Sequence, residues 1–520
     1  MYNLLYFLIW LLIIGVILFY KLNKRKYAQL KKISPTHYRQ RPIIMLIVDS
    51  LMDAPLQEAI RSGQAPALQY LFKNGMYFPH VVSSFPTMSV CIDSCLITGT
   101  FPNDHHIFGL TYFHREKKRM INFGTGPRES IAFGLKRVFK DGIENLNQHF
   151  INKNVKTIYE EMEDPSASIN GLVYRGKTQH TLRPPFFAKL FGILPGKITT
   201  KGPSIFSYGS LAKIDPDTTY DQLIFRCGMN SRFTRMELTS LIKHYLLPAF
   251  TLAYLSDNDE IVHRKGPSTT KGIIKTDQEL AKILNAFPSW EEAVKENIWV
   301  ILGDSGQTAM VNDSTQMYVD LRKLLHPYKI MPLKRSQPLP EDQIVLCVNE
   351  RMAYIYPVDH QLTQDEIISK LKQEKRIDII AWVKEGWIHV ESGQQAGHMK
   401  YKSGGEYHDI YQQNWSIQGD FSLLDLSIEK QQIQYGDYPD VLARLAGVME
   451  TAERVIVVTV LPGYEMIGES SPKHKGASHG SLHAQDSLVP MIVCGTNYKP
   501  PSLRLVDLKK WILELIRQQT

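Results

Sequence analysis

Three apolar runs that each lead into a carboxylate restrict this chain more than any other feature. Pro42 to Val48 (PIIMLIV) is followed by Asp49, Ala249 to Leu255 (AFTLAYL) by Asp257 and Asp259, and Asn297 to Leu302 (NIWVIL) by Asp304. Continuous apolar runs of this length suit strands buried on both faces of a parallel sheet. In open α/β sheets, sites form outside the carboxyl ends of such strands. Glu453 to Leu461 and Val489 to Cys494 predict a fourth and a fifth strand of the same kind. The expected fold is α/β, a mainly parallel sheet flanked by helices.

Between the first two strands, Leu56 to Asn74 has roughly helical spacing and ends at Gly75, which predicts one helix there. Phe85-Pro86-Thr87-Met88-Ser89 then leads into apolar Val90, Leu96 and Ile97, closing at Gly99. This pattern predicts a helix of about nine residues. Ser89 falls at its N-terminus, where unpaired N–H groups and the dipole favour an anion or alkoxide, so its hydroxyl is placed to attack phosphorus. The alternative is that Thr87 or Ser89 only caps the helix. His105 and His106 read as exposed loop residues. From about Arg335 to Leu426 the pattern changes to a strand at Met352 to Tyr356, a helix at Gln364 to Glu374 and a hairpin through Trp387 to Val390, an inserted α+β cap. Leu503 to Ile516 closes the chain as an amphipathic helix.

Composition sets the remaining bounds. The chain has 520 residues and a net charge of +8, but no arginine-rich run or aromatic–basic stripe concentrates that charge, so a nucleic-acid polymer is not an expected partner. Part of the excess follows Met1 to Tyr20, a stretch with no charged side chain and long enough to cross a bilayer. A cleaved signal peptide would place basic residues before the apolar core; here Lys21, Lys24, Arg25 and Lys26 follow it. The expectation is a retained single-pass anchor in the cell membrane, with the body on the cytoplasmic side by the positive-inside rule. Five cysteines form no recognisable disulfide framework, which agrees with that side. The resulting division is an anchor at 1–20, a basic linker at 21–41, a core at 42–334, the cap at 335–426 and the rest of the core at 427–520.

Asp49, Asp259 and Asp304 at strand ends, with His263 one turn after Asp259 and His479 before the last strand, form a candidate metal constellation. Carboxylate oxygens and imidazole nitrogens together suit zinc or manganese. Two such ions about 3.5–4 Å apart can clamp a phosphoryl group and activate a hydroxyl.

On these residues the chain resembles the type I phosphodiesterase/nucleotide pyrophosphatase family of the alkaline phosphatase superfamily. The matching pieces are IIMLIVDS, FPTMS through TGTFPNDHHI, YLSDNDEIVHRKGP, GDSGQ, and SHG before VPMIVCG. The resemblance implies an alkaline-phosphatase-like core. It also implies a nucleophile at Ser89, ten residues before Gly99, with Thr87 two residues earlier. It implies one divalent ion on Asp259, His263 and His479, and another on Asp49, Ser89 and Asp304. Where the family has Asp-His-Gly, this chain has Asp304-Ser305-Gly306, so one expected ligand is absent. Ser305, a water, His474 or His483 are the candidate substitutes. An oxygen-rich second site leans toward manganese or magnesium rather than zinc.

The implied activity is that of a membrane-anchored, metal-dependent phosphodiesterase or phosphatase working through a seryl–phosphoryl intermediate, on a phosphorylated small molecule or a lipid-linked substrate. Two alternatives stand beside it: a transferase passing the group to an acceptor alcohol, and a metal-poor relative that binds phosphorylated ligands without turnover. A sulfatase is disfavoured because Cys91 is not followed by C-x-P-x-R.

Overall fold

The computed structural model describes residues 41–449, 454–468 and 470–518. The expected anchor at 1–20 and nearly all of the linker lie outside them, and no helix among the described residues is long and apolar enough to cross a membrane.

The runs beginning at Pro42, Ala249 and Asn297 form the strands Ile43–Val48, Phe250–Leu255 and Ile298–Gly303, fully buried and parallel. Ile43–Val48 lies between the other two, with Val48 opposite both Leu255 and Gly303. All three strands therefore release their chains at one edge. Ser166–Ile169 and Ile205–Ser207 extend the parallel part beyond Phe250–Leu255. On the other side Leu488–Cys494 pairs antiparallel with Ile298–Gly303, and Gly75–Val82 pairs antiparallel with it in turn. Seven strands result, with helices such as Lys271–Leu284 packed through their apolar faces.

Three expectations need correction here. The run at Val489 to Cys494 is a strand of this sheet, but an antiparallel one. The run at Glu453 to Leu461 forms Ile456–Val460 in a second sheet, between Met352–Pro357 and Ile377–Lys384 and antiparallel to both. That nine-stranded sheet also holds Ile344–Asn349, Trp387–Glu391, Met399–His408, Asn414–Gly419, Leu426–Glu429 and Gln432–Tyr435. A buried apolar pentamer reads the same in either sheet and in either direction; only the pairing partners differ. The segment read as one helix from Leu56 to Asn74 is two, Asp53–Arg61 and Pro66–Lys73, broken where Gly63 takes φ +69° and Pro66 opens the second.

The helix after Phe85 forms as Ser89–Thr98 and closes on Gly99 at φ 68°. Met88 is its N-cap and no side chain caps it, so neither Thr87 nor Ser89 has the capping role. His105 is also unlike its expectation. It ends a short helix, is wholly buried, and its Nε2 lies 3.2 Å from Cys95 Sγ. All five cysteines are free. The final helix runs Leu508–Gln518, with buried Leu508, Trp511, Ile512 and Leu515.

Candidate active site

Strand register brings the first carboxylates together. Asp49 and Asp304 follow neighbouring strands and are buried, 8% and 1% exposed. Asp304 is almost fully bonded: its Oδ1 accepts from the backbone N–H groups of Ser50 (2.9 Å) and Ser305 (2.7 Å), and its Oδ2 accepts from the Tyr254 hydroxyl (2.8 Å). The Tyr254 hydroxyl also interacts with Asp49 and with Ser89. Asp49 Oδ1 is buried and has no hydrogen-bond partner. Burial, then the charges of Asp304 and Asp259, push the Asp49 carboxyl well above its ordinary range, and burial raises Asp304 as well. An anionic pair in this place needs a cation or a shared proton.

Asp259 and His263 lie one turn apart on Asp257–Lys265, where Asp259 Oδ1 is 3.3 Å from His263 Nε2. His479 arrives from the segment before the last strand, its Nε2 3.8 Å from the same oxygen. Each imidazole is held through its other nitrogen, His263 Nδ1 on the Ala477 carbonyl at 2.9 Å and His479 Nδ1 on the Thr87 carbonyl. That contact orients the ring and leaves Nε2 as the ligand atom. Donors 2.0–2.1 Å from a tetrahedral ion stand roughly 3.3–3.4 Å apart, so these separations fit a divalent cation with little adjustment. The site's electrostatics have the same sense. Burial opposes charge on both partners, yet the His263 and His479 charges hold Asp259 well below the usual carboxylate range, and Asp259 and Glu350 lift His263 to about 10.

Several contributing residues were not singled out in the sequence, although Ser50, Tyr254 and Gln307 lie within the matching pieces. Ser50 Oγ donates to Asp259 Oδ1 (2.8 Å) and lies 3.3 Å from Ser305 Oγ. Gln307 Nε2 donates to Asp259 Oδ1 (2.7 Å) and to Ser50 Oγ (2.9 Å). Ser50, Tyr254 and Gln307 are common residue types at a strand end, in a strand and in a loop, and only the fold brings them together. Glu350 is the largest omission. It sits at the tip of the hairpin joining Ile344–Asn349 to Met352–Pro357, with φ 57°, and its Oε1 reaches 4.0 Å from His263 Nε2.

The candidate substitutes for the missing ligand go elsewhere. His474 stacks on His263 with ring centroids 4.0 Å apart, and bonds Glu465 Oε1 through Nδ1 at 2.6 Å. His483 caps Ala484–Ser487, and its Nε2 is 4.0 Å from Asp437. Among the described residues, no third His, Cys, Asp or Glu joins Asp49 and Asp304 in a ligand-sized cluster. A cation there would find oxygen donors, the orphaned Asp49 Oδ1 first.

Ser89 stands out for exposure. From Val81 to Thr98 every other residue is buried, and Ser89 alone is partly open. It lines a cavity of about 300 Å³ with Asp49, Asn170, Tyr208, Arg226 and Tyr254. Thr87, in contrast, is buried and structural in its contacts: its Oγ1 accepts from Gly480 N–H at 2.7 Å and its carbonyl holds His479.

A search of curated proteins finds no match. Among solved structures, murine ectonucleotide pyrophosphatase/phosphodiesterase 5, in an inactive form in complex with AMP, is similar with a TM-score of 0.55 at 12% identity, over 92% of this chain and 95% of that one. The human protein of the same name gives the same values. Phosphonoacetate hydrolase from Sinorhizobium meliloti, in complex with phosphonoacetate, is similar with a TM-score of 0.52 at 14% identity, over 93% and 98%. These likenesses show the fold. Residues 43–482 match the family described as type I phosphodiesterase/nucleotide pyrophosphatase, and the chain belongs to that family.

Proposed function

We propose that the protein hydrolyses a phosphoric ester through Ser89, with divalent metal as cofactor. The observation that carries this reading is the exposure of Ser89 alone in an otherwise buried stretch, on a cavity shared with Asp49 and Tyr254. Ser89 Oγ attacks phosphorus as its proton passes to Asp49 Oδ1, which has no hydrogen-bond partner; the oxygen–phosphorus bond to the leaving group breaks, and the departing alkoxide takes a proton from solvent water. Tyr254 holds Asp304 in place, and Arg226, ion-paired with Asp257, lines the cavity wall. Water then attacks the seryl phosphorus and releases a proton to solvent, the bond from Ser89 Oγ to phosphorus breaks, and Ser89 Oγ recovers the proton held by Asp49. Asp259, His263 and His479 would hold a divalent ion, which would supply positive charge to offset that of the phosphoryl group.

The neighbours in complex with AMP and phosphonoacetate support a phosphorylated small molecule as substrate, and a lipid-linked one is the variant that an anchor favours. Zinc suits the histidine site. A second ion on Asp49, Ser89 and Asp304, if manganese or magnesium, would suit the oxygen donors there, with Ser305 in place of an imidazole. The reading includes a membrane anchor at Met1 to Tyr20 with the body cytoplasmic, and digestion of the body by protease outside intact cells would overturn that orientation.

The test compares nitrophenyl phosphate mono- and diesters as substrates. Turnover should fall on chelation and return with added zinc or manganese. Turnover that survives complete metal removal overturns the metal-dependent reading.

A further inference from the structure

We propose that Glu350 is an additional metal ligand, making the histidine site a four-residue centre of Asp259, His263, Glu350 and His479. This rests on the reading that Asp259, His263 and His479 hold an ion.

Glu350 reaches the site from the tip of a hairpin of the second sheet and is only 6% exposed. Its Oε2 is committed, accepting from Ser478 Oγ at 3.0 Å and from His479 N–H at 3.2 Å. It also lies 3.8 Å from His479 Nε2. Its Oε1 is turned to His263 Nε2. His263, Glu350 and His474 form a ligand-sized cluster of their own, sharing His263 with the cluster of Asp259, His263 and His479. The two clusters meet at His263, so an ion on Asp259, His263 and His479 would gain Glu350 if its side chain moved toward them.

The surroundings hold Glu350 there. The Asn349 side chain clasps the backbone of Thr111 with bonds of 3.0 and 2.8 Å. Arg351 N–H donates to the His479 carbonyl at 3.0 Å, and the buried Arg351 guanidinium bonds Asp486. His474, on the far side, is fixed by Glu465, an arrangement that orients imidazoles around metal ions. The chemical consequence is a change of charge. Two histidines and one carboxylate leave a divalent ion with one net positive charge; a second carboxylate neutralises it, tightening the hold on the ion and weakening its pull on an anionic substrate.

The test uses the full chain, stripped with a chelator and titrated with Co²⁺, read by visible absorption and by competition with a chromophoric chelator. Glu350→Gln keeps size and removes the charge; it should weaken binding on the order of 10- to 100-fold and alter the cobalt bands. Glu350→Asp, charged but shorter, should fall between the two and serves as the second variant if Glu350→Gln does not fold. Wild-type affinity and bands in both variants would overturn the proposal, leaving Glu350 as an ion-pair partner. His263→Ala separates the two readings: loss of Co²⁺ there with retention in Glu350→Gln sinks this proposal alone. A wild-type chain that takes up no Co²⁺ removes the metal reading and this one with it.

Discussion

Replacing Gly480 by alanine should damage the site. Gly480 follows His479, has φ +125°, and a Cβ on it would lie 2.6 Å from the Asn349 carbonyl oxygen and 3.1 Å from Arg351 N. Both atoms flank Glu350 and belong to backbone, so no side-chain rotation relieves the clash. The backbone conformation costs about 1–3 kcal/mol and the overpacking about another 1–3, together roughly 2–6 kcal/mol. Gly63 is an internal control, with φ +69° and nothing within 4 Å of its added Cβ, so Gly63→Ala should cost only about 1–2 kcal/mol. The two variants are compared by urea unfolding, with metal content after dialysis as the second readout. Gly480→Ala should unfold at lower urea than Gly63→Ala and lose metal, because the methyl group forces the hairpin tip away from His479. If Gly480→Ala matches the control in both readouts, the convergence of these three segments is not what the site depends on.

Ser89→Ala should lower ester turnover by about 10³-fold or more while metal content stays close to wild type; if Thr87→Ala abolishes turnover and Ser89→Ala does not, their roles are reversed. Thr87→Ala should instead cost about 1–3 kcal/mol of stability, because Gly480 N–H loses a buried acceptor. Asp486→Ala strands the wholly buried Arg351 and should cost about 3–5 kcal/mol, whereas Arg351→Met with Asp486→Leu should regain most of it; equal stability of the single and double variants would refute the pairing. Burial pushes the Glu237 carboxyl up to about 7, so folding favours its neutral form: the benefit is complete below the ordinary glutamate range and is lost as pH rises through 7. Glu237→Gln should therefore match wild type near pH 5 and exceed it near pH 8.5, by up to about 3 kcal/mol; parallel pH–stability curves would show that Glu237 ionises freely.

The parts of the site that were legible in the sequence are those fixed by local pattern. A buried strand followed by a carboxylate reveals Asp49 and Asp304, and i,i+4 spacing reveals Asp259 with His263, because register and helical pitch do the assembling. Ser89 was legible from its place at a helix start. What was hidden depended on pairing between distant segments. Ile456–Val460 looked like the other strands and lies in the second sheet. Glu350 sits in Asn349-Glu350-Arg351, a sequence that reads as a turn, and its role becomes visible only when the hairpin tip reaches His479. The break near Gly63 and Pro66 did carry a sequence signal, since a glycine followed closely by a proline punctuates helices.

If Glu350 is a ligand as proposed, the second sheet takes part in the chemistry. Asp49, Asp304, Asp259 and Glu350 bring four carboxylates to one face of the fold, and the neighbouring arginines are already committed, Arg226 to Asp257 and Arg351 to Asp486. Without further positive charge such a face repels a phosphoryl group. Asp259 and Glu350 lift His263, so a proton there offsets part of the charge. A divalent ion in place of that proton would leave Nε2 as a donor and bring two charges to one point. That concentration serves a phosphoryl group best, because its charge is also spread over oxygens around one atom. By this reasoning Glu350 and the metal belong together: the carboxylate adds to the repulsion when the ion is absent and strengthens its hold when it is present, so the face becomes receptive to an anionic ester only once the ion is bound.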